Sequence, residues 1–178
     1  MDNRLGCFVA LESARLVAEA GGAPGPVAAV AVTQEEISFG GARTTAYSLN
    51  PDIAVVVDVT FATDSPGAEE KEIGRHKFGS GAVLTRGSTL HPTVFELLHA
   101  AGEADGIPFT VAASARATGT DADAFHISRA GIPSAVVSIP LRYMHSPVEM
   151  MQLDDVDNAA RLIAAFIRRL EPGLDLKR

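Results

Sequence analysis

Apolar positions in this chain recur at two spacings, and the switching between them predicts helices and strands in turn. Val156, Ala159, Ala160, Ile163, Ile167 and Leu170 follow the interval of a helix with one buried stripe. Asp154, Asp155 and Asp157 stand at its start and Arg168 and Arg169 at its end, each matched to the helix macrodipole. Residues 4–19 also read as a helix, closed by Gly21-Gly22. Apolar side chains fall on more than one of its sides, which predicts a well-buried element. Val94, Leu97, Leu98 and Ala101 mark a further helix, opened by His91-Pro92 and closed at Gly106. Thr120 reads as the N-cap of a short helix, with Asp121 and Asp123 in its first turn and Gly131 closing it.

Continuous apolar runs separate these helices. Residues 27–32, 53–60, 109–113 and 134–139 show the pattern expected where both faces of a sheet are covered. Residues 82–85 are a shorter strand candidate. Phe39-Gly40-Gly41-Ala42 reads as a flexible turn before a short helix over 43–47. Residues 62–82 read as a long loop with room for an edge strand, and 140–147 as the loop after the last strand. The alternation predicts an α/β fold: a three-layer sandwich with a mostly parallel sheet flanked by helices. A length of 178 residues fits a single domain over 1–178.

Composition changes this picture little. The chain is 47% hydrophobic and 21% charged, ordinary values for a soluble globular protein. A net charge of −7 argues against nucleic acid or an anionic membrane as the main partner. No apolar run reaches the roughly 20 residues of a membrane span, and Met1-Asp2-Asn3-Arg4 opens no signal-peptide pattern. Cys7 is the only cysteine, so no intramolecular disulfide can form and a reducing, cytoplasmic setting is expected.

Candidate chemistry gathers where strands end. Glu35 and Glu36 follow the run at 27–32, and two such carboxylates repel unless a cation is shared between them. On a strand they would point to opposite faces, leaving one free to bind a metal and the other to move protons. Asp58 lies inside an apolar run, where an unpaired carboxylate is not tolerated. His145 follows the last strand and Asp2 precedes the first helix. Carboxylates and an imidazole suit Zn²⁺, Mn²⁺ or Co²⁺, and a bridging carboxylate lets such a set hold two ions roughly 3.5–4 Å apart. The plainer alternatives are two solvated glutamates in a turn and a hydrogen-bonded core acid. Neither HExxH nor CxxC occurs. Ser80 lacks the GxSxG elbow of a serine hydrolase. Gly119-Thr120-Asp121 could cradle an anion, although a helix cap accounts for it. His76, His91, His99 and His126 read as surface or capping residues.

Asp2-Asn3-Arg4 before an apolar helix, then TQEE, VVDVT, GTDA and RYMHSPVE in this order, resemble the dinuclear metallo-aminopeptidases of the tetrahedral (TET) type. That family includes glutamyl and deblocking aminopeptidases and proteins labelled endoglucanase. The resemblance covers nearly the whole chain and implies a zinc-peptidase-like fold, hydrolysis of N-terminal residues from peptides, and two divalent metal ions, zinc or cobalt. It also implies that Asp2 bridges both metals, that Glu36 and His145 complete one position, and that Asp58 serves the other. Glu35 is then the general base, carrying a proton from a metal-bridged water to the leaving amine. The family's upstream His-x-Asp motif, source of a fifth ligand, does not occur in these 178 residues. Neither does the inserted PDZ-like domain that mediates assembly into dodecamers. The chain therefore resembles the C-terminal half of a catalytic domain, truncated at the N-terminus, with a weakened second metal position. A raw sheet edge is expected to favour homo-oligomers. The rival readings are a non-catalytic remnant that binds a metal or a partner protein, and a metallohydrolase acting on another amide or acyl substrate.

Overall fold

The computed structural model describes residues 1–176. Its sheet is built from β1 (Ala54–Phe61), β2 (Ala82–Gly87), β3 (Phe109–Ser114) and β4 (Ser134–Arg142), with a two-residue β5 (Met150–Met151) that the apolar pattern had not signalled. The order is β1-β4-β2-β3, with β5 added to β4. β1 pairs parallel with β4 from Ala54↔Ser134 to Phe61↔Leu141, and β2 pairs parallel with β3. The β2–β4 junction and the β4–β5 pair are antiparallel, so the sheet is mixed. β4 is central and buried from Ser134 through Leu141, which explains its uninterrupted apolar run. It continues through Pro140, where the sequence suggested a loop. The last β2 pair is Val83↔Ser138, so the missing Pro140 N–H breaks no rung on that side.

Side chains along β4 separate the two helical layers. Ala135, Val137 and Ile139 join the main core with α5 (Pro92–Asp105) and α7 (Leu153–Arg168). Val136 faces the other way, against Leu90 and Ala122 of α6 (Ala122–Phe125). α1 (Arg4–Glu19) packs on α7 and β1, whereas α3 (Gly40–Leu49) packs on α6. The result is the three-layer sandwich.

Four local expectations need correction. α1 has the expected bounds but buries only one stripe, Gly6, Val9, Ser13 and Val17; Leu11 is 63% exposed. Gly40-Gly41 is not a turn: both glycines lie inside α3, and only Phe39 takes the left-handed conformation, at φ 55°. A Cβ on Gly41 would lie 2.3 Å from the Thr33 carbonyl oxygen, so this glycine permits a close approach. The loop after β1 holds α4 (Glu70–Ile73) rather than an edge strand. Residues 27–32 form no strand, and Val27 and Val30 are about two-fifths exposed. An apolar run of this kind needs a neighbouring strand, and the outer edge of β1 supplies none because a cavity of about 1050 Å³ separates the two. Among the described residues no helix is long and apolar enough to cross a membrane.

Candidate metal centre

Asn3 fixes the start of α1. Its Oδ1 accepts the Gly6 N–H (2.8 Å), while its Nδ2 donates to the Val57 carbonyl (2.9 Å) and to Asp58 Oδ1 (3.1 Å). One side chain thereby caps the helix and pins it to β1. Gly6 allows that contact, because a Cβ there would stand 2.6 Å from Asn3 Oδ1 and 2.7 Å from the Val57 oxygen. Asp2, joined to Asn3 by a cis peptide bond, is mostly buried beside them.

Asp2 Oδ2 lies 3.2 Å from His145 Nε2. Ligand atoms of Asp2, Glu36 and His145 all fall within 4.8 Å of one another, the one such group among the described residues. Glu149 holds this arrangement from behind: its carboxylate accepts the Asp2 N–H (3.2 Å) and the His145 N–H (3.1 Å), and it pairs with the Met1 ammonium. His145 and Tyr143 take positive φ values of 63° and 58°, so their loop carries backbone strain that such contacts must hold. Glu149 stands within RYMHSPVE, but nothing in the motif's spacing announces it as a brace.

Glu35 and Glu36 do not end a strand. They open α2 (Glu35–Ser38) after Gln34, which is left-handed at φ 65°. Consecutive helical residues diverge by roughly 100°, so the two carboxylates still separate. Glu36 joins Asp2 and His145, while Glu35 is half-buried and feels Asp121, Glu36 and Asp2. Asp58 is buried and lies outside the three-residue group; its Oδ1 accepts the Val59 N–H (2.8 Å) besides the Asn3 amide. Asp121, expected in the first turn of a short helix and within a possible anion cradle, reaches this centre instead. Its Oδ1 is buried with no hydrogen-bond partner, and its charge acts on both Glu35 and Asp58. No spacing rule would have found it.

Crowding and burial make these acids reluctant to ionise. Burial is the main cause that lifts Glu35 to about 7, with Asp121, Glu36 and Asp2 adding to it. Asp58 is also pushed to about 7, chiefly by burial, against the lowering effect of the Val59 N–H. Burial raises Asp121 to about 6. Asp2 is raised by burial and by Glu36, against the opposing effect of His145. A cation would relieve this repulsion, and carboxylate and imidazole donors fit a divalent ion.

The other candidates do structural work. His76 is a satisfied core residue, with Nε2 on the Ile73 carbonyl (3.0 Å) and Nδ1 on Thr110 Oγ1 (2.7 Å), rather than a surface group. His91 is likewise buried, its Nε2 on the Leu176 carbonyl (2.9 Å). Ser80 Oγ donates to the Lys77 carbonyl. The Gly119 N–H is taken by Asp123 (2.8 Å), which leaves no anion cradle.

These shifts give a pH dependence of stability. A carboxyl raised on folding contributes stability that is present below its unfolded pKa and lost as pH rises through the folded value. Glu35, Asp58 and Asp121 therefore destabilise the metal-free fold as pH climbs from about 4 to about 7. His76, lowered by burial, works the opposite way. The three acids outweigh it, so melting in the presence of a chelator is expected several degrees higher at pH 5.5 than at pH 8. Asp58→Asn should shrink the difference; a flat profile for the parent protein would contradict the assignment.

Residues 1–162 match the M42 glutamyl aminopeptidase family. The chain is 36% identical over 172 residues to the lysyl aminopeptidase of Pyrococcus furiosus, covering 97% of this chain and 48% of that protein. The TET aminopeptidase of the marine sediment archaeon Thaumarchaeota archaeon SCGC AB-539-E09 superposes with a TM-score of 0.88 at 34% identity, over 96% of this chain and 48% of that one. The TET1 peptidase of Pyrococcus horikoshii can assemble into a tetrahedron or a large octahedral shell. It superposes with a TM-score of 0.63 at 27% identity, over 78% of this chain and 40% of that one. The chain thus spans about half the length of the relatives it matches. Family match, shared sandwich and sequence identity agree: the chain belongs to the M42 glutamyl aminopeptidase family, a family of hydrolases.

Proposed function

We propose that this chain carries the metal-binding and proton-transfer groups of an aminopeptidase site that releases N-terminal residues from peptides. The observation that carries the reading is the convergence of Asp2, Glu36 and His145 beside the reluctant acids Glu35 and Asp58. Asp2, Glu36 and His145 would hold one divalent ion, zinc or cobalt. Asp2 and Asp58 would contribute to a second, which has fewer donors from this chain. When bound, such ions polarise the scissile carbonyl and lower the pKa of water. Glu35 then serves as base and acid in turn. It accepts the proton released as water adds to the peptide carbon and delivers it to the amine as the C–N bond breaks. Burial and the neighbouring carboxylates hold it at about 7 in the metal-free fold, a carboxyl that exchanges its proton readily near neutral pH. Glu149 fixes the Asp2 and His145 backbone, and Asp58 keeps Asn3 in register with β1. A peptide substrate, a cytoplasmic setting and a homo-oligomer like those of TET1 belong to the same reading.

Zinc at about 100 times its Kd should stabilise the fold by about 2.7 kcal/mol, or roughly 5–10 °C in Tm. His145→Ala should remove most of that shift. Elemental analysis finding no zinc or cobalt, together with a melting point that ignores both, would defeat the metal assignment. A second reading rests on the span of about half the relatives' length: a domain that binds metal without turnover. Metal-dependent stabilisation without release from any aminoacyl chromogenic substrate favours it.

A further inference from the structure

The carboxyl end of β2 turns into the start of α5 around a cavity of about 420 Å³. Arg86 and Ser88 line it on the strand side and His91 and Pro92 at the helix start, while Leu90 and Phe95 supply its apolar wall. It lies far from the metal centre. The His91 N–H donates to the Ser134 carbonyl at the beginning of β4, whereas His145 follows the other end of that strand. The nine residues of β4, at about 3.3 Å each, put roughly 25 Å between the two places.

Three polar features of this cavity are unspent. Pro92 takes the first helical position, so the first N–H groups of α5 belong to Thr93 and Val94, and neither has a partner among the described residues. They form the positive end of a 14-residue helix. His91 is only 2% exposed, and its Nε2–H donates to the Leu176 carbonyl (2.9 Å). In the neutral ring that leaves Nδ1 as an acceptor, buried and without a hydrogen-bond partner. An acceptor buried so deeply is costly to leave unpaired. Arg86 is the third feature. Its guanidinium pairs with Glu96 (3.2 Å) and lies 5.3 Å from the centre of the Phe95 ring. Both side chains of that ion pair are more than half exposed, so exchanging Glu96 for another carboxylate costs little.

We propose that this cavity is a binding site for a free amino acid with an apolar side chain. Its carboxylate sits on the Thr93 and Val94 N–H groups beside Arg86, and its ammonium donates to His91 Nδ1. The side chain packs on Leu90 and Phe95. Each part of the ligand thus answers a different group of the lining. An inorganic anion has no apolar part for that wall, and an acidic amino acid would press a second carboxylate against it and against Glu96. A volume of about 420 Å³ admits leucine or phenylalanine. The site does not depend on the aminopeptidase reading, although a free amino acid is what that reaction releases.

Calorimetric titration of the full chain with L-leucine, in the presence of a chelator, should show one site per chain. The chelator removes any leucine held through a metal and so keeps the two places apart. Amide exchange at Thr93 and Val94 should slow when leucine is bound. Arg86→Ala alters an exposed side chain; it should weaken leucine by about tenfold or more and leave the melting point of the free chain unchanged. 4-Methylpentanoate, which lacks the ammonium, should bind about tenfold more weakly than leucine, and His91→Phe should abolish that difference. Should His91→Phe fail to fold, the two ligands compared on the parent chain answer the same question. No binding of leucine to the chelated chain overturns the proposal. So does inorganic phosphate or L-glutamate binding as tightly as leucine, or a leucine affinity indifferent to Arg86→Ala or to loss of the ammonium.

Discussion

Glu35→Gln is expected to cut the release of amine from an aminoacyl chromogenic substrate by about two to four orders of magnitude. The assay uses the metal-loaded protein. The amide keeps the size of the side chain and loses only the ability to accept a proton. Glu35 stands outside the Asp2–Glu36–His145 group, so the metal-dependent rise in melting temperature should survive the change. The acidic limb of the pH–rate profile should be lost as well, since in this assignment that limb is the protonation of Glu35. Unchanged hydrolysis would place the base elsewhere, with Asp121 next in line by its unpartnered oxygen. Lost metal binding together with lost activity would mean that Glu35 is a ligand.

Asp155→Ala should be strongly destabilising although it lies remote from that centre. Asp155 is fully buried in the first turn of α7, and its two oxygens accept the N–H groups of Gly79 (2.9 Å) and Gly81 (2.7 Å). The loop cannot easily move to find other partners. A Cβ on Gly81 would collide with the Pro108 carbonyl oxygen, so this backbone is pressed directly onto the segment entering β3. Alanine would strand the buried Gly81 N–H at about 1–3 kcal/mol and take the partner from the part-buried Gly79 N–H, a total loss of about 2–4 kcal/mol measurable by urea unfolding. Asp155→Asn keeps one carbonyl acceptor and should fall between. A loss under about 1 kcal/mol for alanine would show that water or loop motion satisfies both amides.

The helices were legible where their ends carry chemistry. Residues 4–19 and the segment from Pro92 to Gly106 fold as read, because Asn3, the N1 proline and the left-handed Gly106 are local signals. The run at 27–32 misled for a physical reason: an apolar stretch records the burial its residues need and not the strand beside which they will lie, and here a cavity lies beside them. Glu35 and Glu36 were placed at a strand end because the left-handed turn at Gln34 leaves no mark in the sequence. Asp2, Glu36 and His145 stand too far apart for spacing to join them; their places at the ends of elements suggested the set, and the resemblance gave each its role. Asp121 and Glu149 were illegible, since one matters through an orphaned oxygen and the other through two backbone amides contributed by distant residues.

Glu149 has a consequence for how the molecule comes apart. By holding the Asp2 amide across 147 residues of sequence and the His145 amide beside it, this carboxylate ties the beginning of the chain to the segment just ahead of the last helix. An ion shared by Asp2 and His145 would turn that tie into a removable clasp around most of the polypeptide. Closing a loop of about 140 residues removes chain entropy worth about 5 kcal/mol from the unfolded state. Loss of the ion would therefore return that entropy to the unfolded chain and lower the stability of the whole fold by about the same amount.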